Sequence, residues 1–182
     1  MIRPFIIMCT AALAGAALVN AADAPTVAGI YDSQISNIEH DLVPLAQAMP
    51  ADKYDFAPTN GNFKGVRTFA QQAKHVAAVT YLVAAATLQE KPPVDTGGED
   101  GPASIKTKDQ IVKFLQDAFA YAHKAAKSLT QQNGLDLVTS AFGNQKVARA
   151  SMVGTVAWHS FDHYGQMVVY LRMNGIVPPA SR

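Results

Sequence analysis

Cysteine is almost missing from this chain of 182 residues: Cys9 is the one example. It falls within MIRPFIIMCTAALAGAALVNAADAP, a stretch that opens on basic Arg3, continues through apolar and small residues, and closes on Val19-Asn20-Ala21. This is the layout of a secretory signal peptide, with small side chains at the subsites for cleavage after Ala21. Cys9 lacks the small residues that precede a lipid-modified cysteine and lies too early in the apolar run. Residues 1–21 are therefore expected to be removed, leaving 22–182 as a single domain exported to the periplasm or secreted. A mature chain of that extent has no disulfide, no thiol nucleophile and no zinc–thiolate site. Export is compatible with that, because an oxidising compartment permits disulfides without requiring them.

An excess of charge of either sign is also missing. With Arg3 taken from the 15 basic residues, 14 remain against 14 acidic ones. No basic run or basic helix face stands out, so nucleic acid is not an expected partner. Long apolar runs are lacking as well: the leader's own run is short for a spanning helix, and no second candidate follows. No stable membrane span is expected after processing. Repeats of solenoid length and alternating strands of useful length are absent too. The remaining segment, about 160 residues, is long enough to bury one real core.

What is present is a set of four amphipathic helical patterns. Tyr31, Ile35, Ile38, Leu42, Leu45 and Met49 recur at alternating steps of four and three, one buried stripe of a first helix. Pro44 lies inside it and predicts a kink or an early end. MPADKYDFAPTNGNFKGVR is a turn-rich connector. Thr68-Phe69-Ala70-Gln71 carries a capping-box signal and opens a second helix that ends near Gln89. EKPPVDTGGEDGPASIK follows as an exposed loop, and Thr107-Lys108-Asp109-Gln110 repeats the capping signal for a third helix. Its stripe is Ile111, Leu115, Ala118, Ala122, Ala125 and Leu129. After the turn-rich QQNGLDLVTSAFGNQ, a fourth helix is expected over about 145–174, with Gly175 as its stop residue. The pattern predicts an all-α, up-down-type four-helix bundle.

Within that fourth helix, Met152, Val156, His159, His163, Gln166 and Tyr170 keep the four/three alternation. His159 and His163 thus occupy core-type positions about 40° and one turn apart, from which two imidazoles can reach a common point. Alternatively they are core histidines, each of which then needs hydrogen-bond partners. A metal site requires a further ligand from another helix. His123 and His40 fall off their helices' apolar stripes and are expected at the surface, whereas His75, in a nearly all-apolar helix, is the best third ligand. Three neutral imidazoles suit a divalent transition metal (Zn, Ni, Fe or Cu) and leave positions open for water or substrate. The rival di-iron arrangement needs Glu-x-x-His motifs, and the chain has none. Cys-x-x-Cys-His for covalent haem is absent too.

KYDFAPTNGNFKGVRTFAQQAKHVA and the downstream HSFDHYGQMVVYLRMNGIVPP together resemble the DinB/YfiT-like superfamily of four-helix bundle proteins. The likeness spans nearly the whole mature chain, and its most specific part is the His-x-x-x-His-x-Gly-Gln string at His159, His163, Gly165 and Gln166. It also takes in Leu171, Arg172, Gly175, Pro178 and Pro179. The resemblance implies a divalent metal held by His75, His159 and His163, and a homodimer. Some relatives are thiol-dependent transferases or isomerases. The chain departs from them in its export signal and in the loop over residues 90–106, which is placed to cover or reshape a pocket mouth.

Other residues carry further expectations. Trp158, Phe161 and Tyr164 are read as core or dimer-surface residues, Asp162 as a surface carboxylate, and Gly165 as a site of close helix approach. Gln166 and Tyr170 are candidates to support the ligand histidines from behind or to contact substrate, and Tyr81 is a candidate pocket hydroxyl. No catalytic residue is identifiable. The function expected is a metal-dependent enzyme of the hydrolase or transferase type, acting on a small-molecule substrate. The alternatives are a metal-binding or stress-response dimer module without turnover, and a bundle that has lost its metal.

Overall fold

A computed structural model describes residues 24–182, so the expected leader, Cys9 and the cleavage site lie outside the described residues. Four helices account for just over half of the described residues: α1 (Val27–Ala48), α2 (Phe69–Leu88), α3 (Lys108–Lys127) and α4 (Arg149–Met173). Their starts follow the sequence signals. Thr68 and Gln71 form a reciprocal capping box, as do Thr107 and Gln110, so donors left unpaired by the first turn are satisfied at both helices. α4 ends where Gly175 adopts a φ of 73°, with Ile176 N–H donating to the Leu171 carbonyl and Gly175 N–H to that of Arg172. α2 closes the same way, but with a non-glycine residue, Gln89, at φ 58°.

The stripes of α1 and α3 pack as their spacing implies, whereas on that of α4 Gln166 is exposed. Ile35, Ile38, Leu42, Leu45, Ile111, Leu115, Phe119, Met167 and Leu171 are among the side chains removed from solvent in one continuous core. α2 lies between α3 and α4, and α1 closes the ring from the opposite corner. Directions follow from paired residues. Gln72 meets Gln166 while Arg149 reaches the Thr87 carbonyl, so α2 and α4 are antiparallel. Tyr81 lies against Phe114 while Tyr121 and Lys124 reach Glu90, so α2 and α3 run the same way. The order is up-down-down-up, and the segment 89–107 returns the chain along the length of α2. None of the described helices is long and apolar enough to cross a membrane.

Four features differ from expectation. α1 does not end early at Pro44 but continues through it to Ala48. The carbonyl that proline leaves without a partner belongs to His40, on the exposed side of the helix where water can serve it. α4 starts at Arg149, not near 145, because Lys146–Ala148 (β2) pairs antiparallel with Leu137–Thr139 (β1). Strands of three residues are too short to show an alternation in sequence. His123 is not solvent-facing: it lies between α3 and α1, with Nδ1 2.7 Å from Asp32 and Nε2 2.9 Å from Glu39. Gly165 is not a close-approach position, since a Cβ built there would meet nothing within 4 Å.

Candidate metal centre

α2 and α4 bring three imidazoles to one point. His75 lies one turn beyond Gln72 on α2, and its antiparallel neighbour α4 presents His159 and His163 from successive turns. The Nε2 of His159 is 3.2 Å from the Nε2 of His75 and 3.2 Å from that of His163. One ligand atom from each of the three lies within 4.8 Å of the others. His75 and His163 are buried and His159 is half-buried.

The outer ring nitrogens determine which atoms face inward. The Nδ1 of His75 is 2.6 Å from the Glu99 backbone carbonyl, which can only accept, so this nitrogen carries the proton. The Nδ1 of His163 donates in the same way to the Gln72 side-chain oxygen, at 2.5 Å. Gln72 in turn donates to Gln166 Oε1 at 2.8 Å, and Gln166 donates to Asp162 at 3.1 Å. Both bonded imidazoles therefore turn an Nε2 lone pair toward the shared point, and at most one proton, on His159, can sit among the three nitrogens. The Nδ1 of His159 is buried without a partner among the described residues. Lone pairs gathered this way are costly when unpaired and favourable around a cation.

Electrostatics keep the rings neutral. Burial, followed by the charges His163, His75 and Arg67 would present, pushes His159 down to about 3. Burial and the neighbouring His75 lower His163 to about 4, against an opposing effect of Asp162. Burial lowers His75 as well, partly opposed by its bond to Glu99. Neutral imidazole is the form that ligates metal. A tetrahedral ion with zinc–nitrogen bonds of about 2.0–2.1 Å holds its nitrogens about 3.3–3.4 Å apart, close to the spacing here. The three residues fit a divalent ion, and it is His75, His159 and His163 that could hold it.

Beside His163 lies an open cavity of about 750 Å³. Its lining includes Arg67 from the connector, Lys74 and Gln72 from α2, Gln166 from α4, and Asp100 and Gly101 from the 90–106 loop. That loop does shape the pocket mouth. It supplies the carbonyl that orients His75 and places Asp100 3.0 Å from the Arg67 guanidinium. Gln166 lines the cavity as a candidate contact should. Tyr170 does not: its buried hydroxyl donates to the Arg67 carbonyl at 2.9 Å, while its ring packs edge-on against Phe56. It is inward as its position on the stripe requires, but it anchors the connector. Tyr81 is also remote from the histidines, packed against Phe114 and Tyr121 with its hydroxyl pushed up to about 12, by burial first and then by Asp117. Asp162 is exposed and outside the group of potential ligands, and Trp158 and Phe161 are exposed rather than in the core.

A family model described as the DinB superfamily matches residues 34–167. The chain belongs to the DinB superfamily. A crystal structure of a DinB-like protein from Bacillus cereus is similar in fold, with a TM-score of 0.63 at 15% identity over 85% of this chain and 96% of that one. No curated protein matches the sequence.

Gln72, Glu99, Arg67 and Lys74 are parts of the site that the sequence did not single out. Gln72 had a signal: it lies three residues before His75, hence on the same side of α2. Glu99 acts through its backbone carbonyl, and side-chain identity carries no trace of that. Arg67 and Lys74 are ordinary surface residue types until the loop's path is known.

Proposed function

We propose that this DinB superfamily member is an exported, metal-dependent enzyme of the hydrolase or transferase type, with His75, His159 and His163 as ligands to one divalent transition-metal ion (Zn, Ni or Fe). The observation that carries the reading is the convergence of three Nε2 atoms beside an open cavity. A bound ion supplies Lewis acidity toward an oxygen, nitrogen or sulfur donor of a small-molecule substrate. The chain's own residues do the positioning. Gln72 and the Glu99 carbonyl fix the tautomers and planes of His163 and His75, and Gln166 joins that network at the cavity wall. Hydrolysis suits an exported protein better than transfer of cytosolic thiols.

Metal-loaded protein screened across esters, amides and thiol conjugates tests this reading. Turnover that disappears in the His159→Ala/His163→Ala double variant is expected, and turnover that survives it would contradict the assignment. One observation favours a binding module without turnover. Asp100 is the one carboxylate among the described residues lining the cavity, and it is paired with Arg67, so the cavity wall presents no unpaired carboxylate. Stoichiometric metal without activity throughout the screen supports that second reading.

A homodimer is part of the proposal. Trp158, Phe161, Val169 and Met173 are exposed along one side of α4, an apolar row suited to a second copy. Light scattering of the purified protein at twice the monomer mass is the expected result.

A further inference from the structure

The cavity next to His163 is lined by two cationic side chains and one anionic one, the histidine being neutral. Arg67 is half-matched by Asp100, whose side chain is 81% exposed and therefore weakly held. Lys74 makes no ion pair among the described residues. Its position is nevertheless specified. Gly101 lies directly on its aliphatic stem: a Cβ at Gly101 would come within 2.9 Å of Lys74 Cβ and Cε, and the glycine's φ of 80° is one that other residues rarely adopt. The loop backbone thus pins the stem, leaving the ammonium as the free end. Arg67 is fixed from behind, because Tyr170 holds its carbonyl.

The start of α2 offers no competing anion site. Thr68 and Gln71 cap each other, and the Phe69 and Ala70 N–H groups donate to the Phe56 and Tyr54 carbonyls. Recognition of negative charge at this end of the helix falls to the side chains. Arg67, the last connector residue before the Thr68 cap, and Lys74 on α2 both line the cavity, together with Gln71.

We propose that this cavity binds the carboxylate or phosphate group of a small-molecule substrate, with Lys74 and Arg67 as its cationic anchors and Asp100 as the group the anion displaces. The inference rests on the proposed metal centre only for where the substrate's reactive end goes. The anion site itself stands on the cavity, the pinned lysine and the exchangeable Arg67–Asp100 pair.

Calorimetric titration of zinc-loaded protein with succinate, inorganic phosphate and neutral succinamide tests it, with zinc content measured on every sample. Succinate or phosphate is expected to saturate one site, and the stronger of the two identifies the anion's source; succinamide should not bind. Lys74→Gln and Arg67→Gln should each weaken the preferred anion about tenfold, as loss of a charge-assisted hydrogen bond implies. Lys74→Arg should retain most of the affinity, Asp100→Asn should tighten it, and Lys113→Gln, a remote cation, should leave it unchanged. Absence of binding by both anions, or binding indifferent to Lys74 and Arg67, overturns the proposal. Anion binding that requires zinc but ignores these two residues overturns it equally. Binding that depends on Lys74 and Arg67 in protein that takes up no zinc upholds the anion site and rejects the metal centre.

Discussion

At the scale of single residues, the site depends on atoms one step behind the ligands. Gln72 accepts the Nδ1 proton of His163 and is held in turn by Gln166, so the orientation of one imidazole rests on a side-chain relay across two helices. Gln72→Ala should leave the fold intact and lower metal affinity about 10- to 100-fold, read by competition with a chelator. His123 supports a different prediction. Burial alone would lower its pKa, but hydrogen bonds to Glu39 and Asp32, and their charges, together raise it above the usual imidazole value. A raised folded pKa means that the stabilisation is complete below the unfolded value of about 6.5 and is lost as pH rises through the folded value. Lys127, 4.0 Å from Asp32, adds a second cation to the cluster. The difference in unfolding free energy between the wild type and His123→Gln should therefore be larger at pH 6 than at pH 9. Equal differences at the two pH values would show that the clamp between α1 and α3 is not ionic.

At the scale of elements, Gln89 ends α2 in a left-handed conformation that costs a non-glycine residue about 1 kcal/mol or more. Gln89→Gly should raise stability by up to about 1 kcal/mol, partly offset by loss of the side-chain bond to the Ala86 carbonyl, and denaturant unfolding would measure it. The helices themselves were legible because their signals are local and repeated. Each of the stripes through Ile35 and Ile111 fixes one face, and Thr68 and Thr107 mark starts with two reciprocal bonds each. His159 and His163 were legible for the same reason, lying on the stripe of α4. Pro44, the short hairpin and His123 were not. Each depends on what stands opposite, respectively water, a paired strand and two carboxylates of α1, and none of these is encoded within a helical turn.

At the scale of the whole molecule, the same contrast explains the cavity. The parallel run of α2 and α3 requires a connection that retraces the bundle, and the loop that makes it lies over α2 at His75. A sequence shows the loop's length and its Gly and Pro content, but not that Glu99, Asp100 and Gly101 come to rest against His75, Arg67 and Lys74. The metal centre thus joins two helices and a loop distant in sequence. An ion bound there should stabilise the whole fold, by about 2.7 kcal/mol at a free concentration of 100 times Kd, with a matching rise in unfolding temperature.

The central claim is that three histidines hold one divalent ion, and metal analysis of protein purified without a histidine tag tests it most directly. One transition-metal ion per chain is expected in the wild type, with none in the His159→Ala/His163→Ala variant. No metal in either protein after incubation with zinc, nickel and iron, or the same metal content in both, would contradict the account.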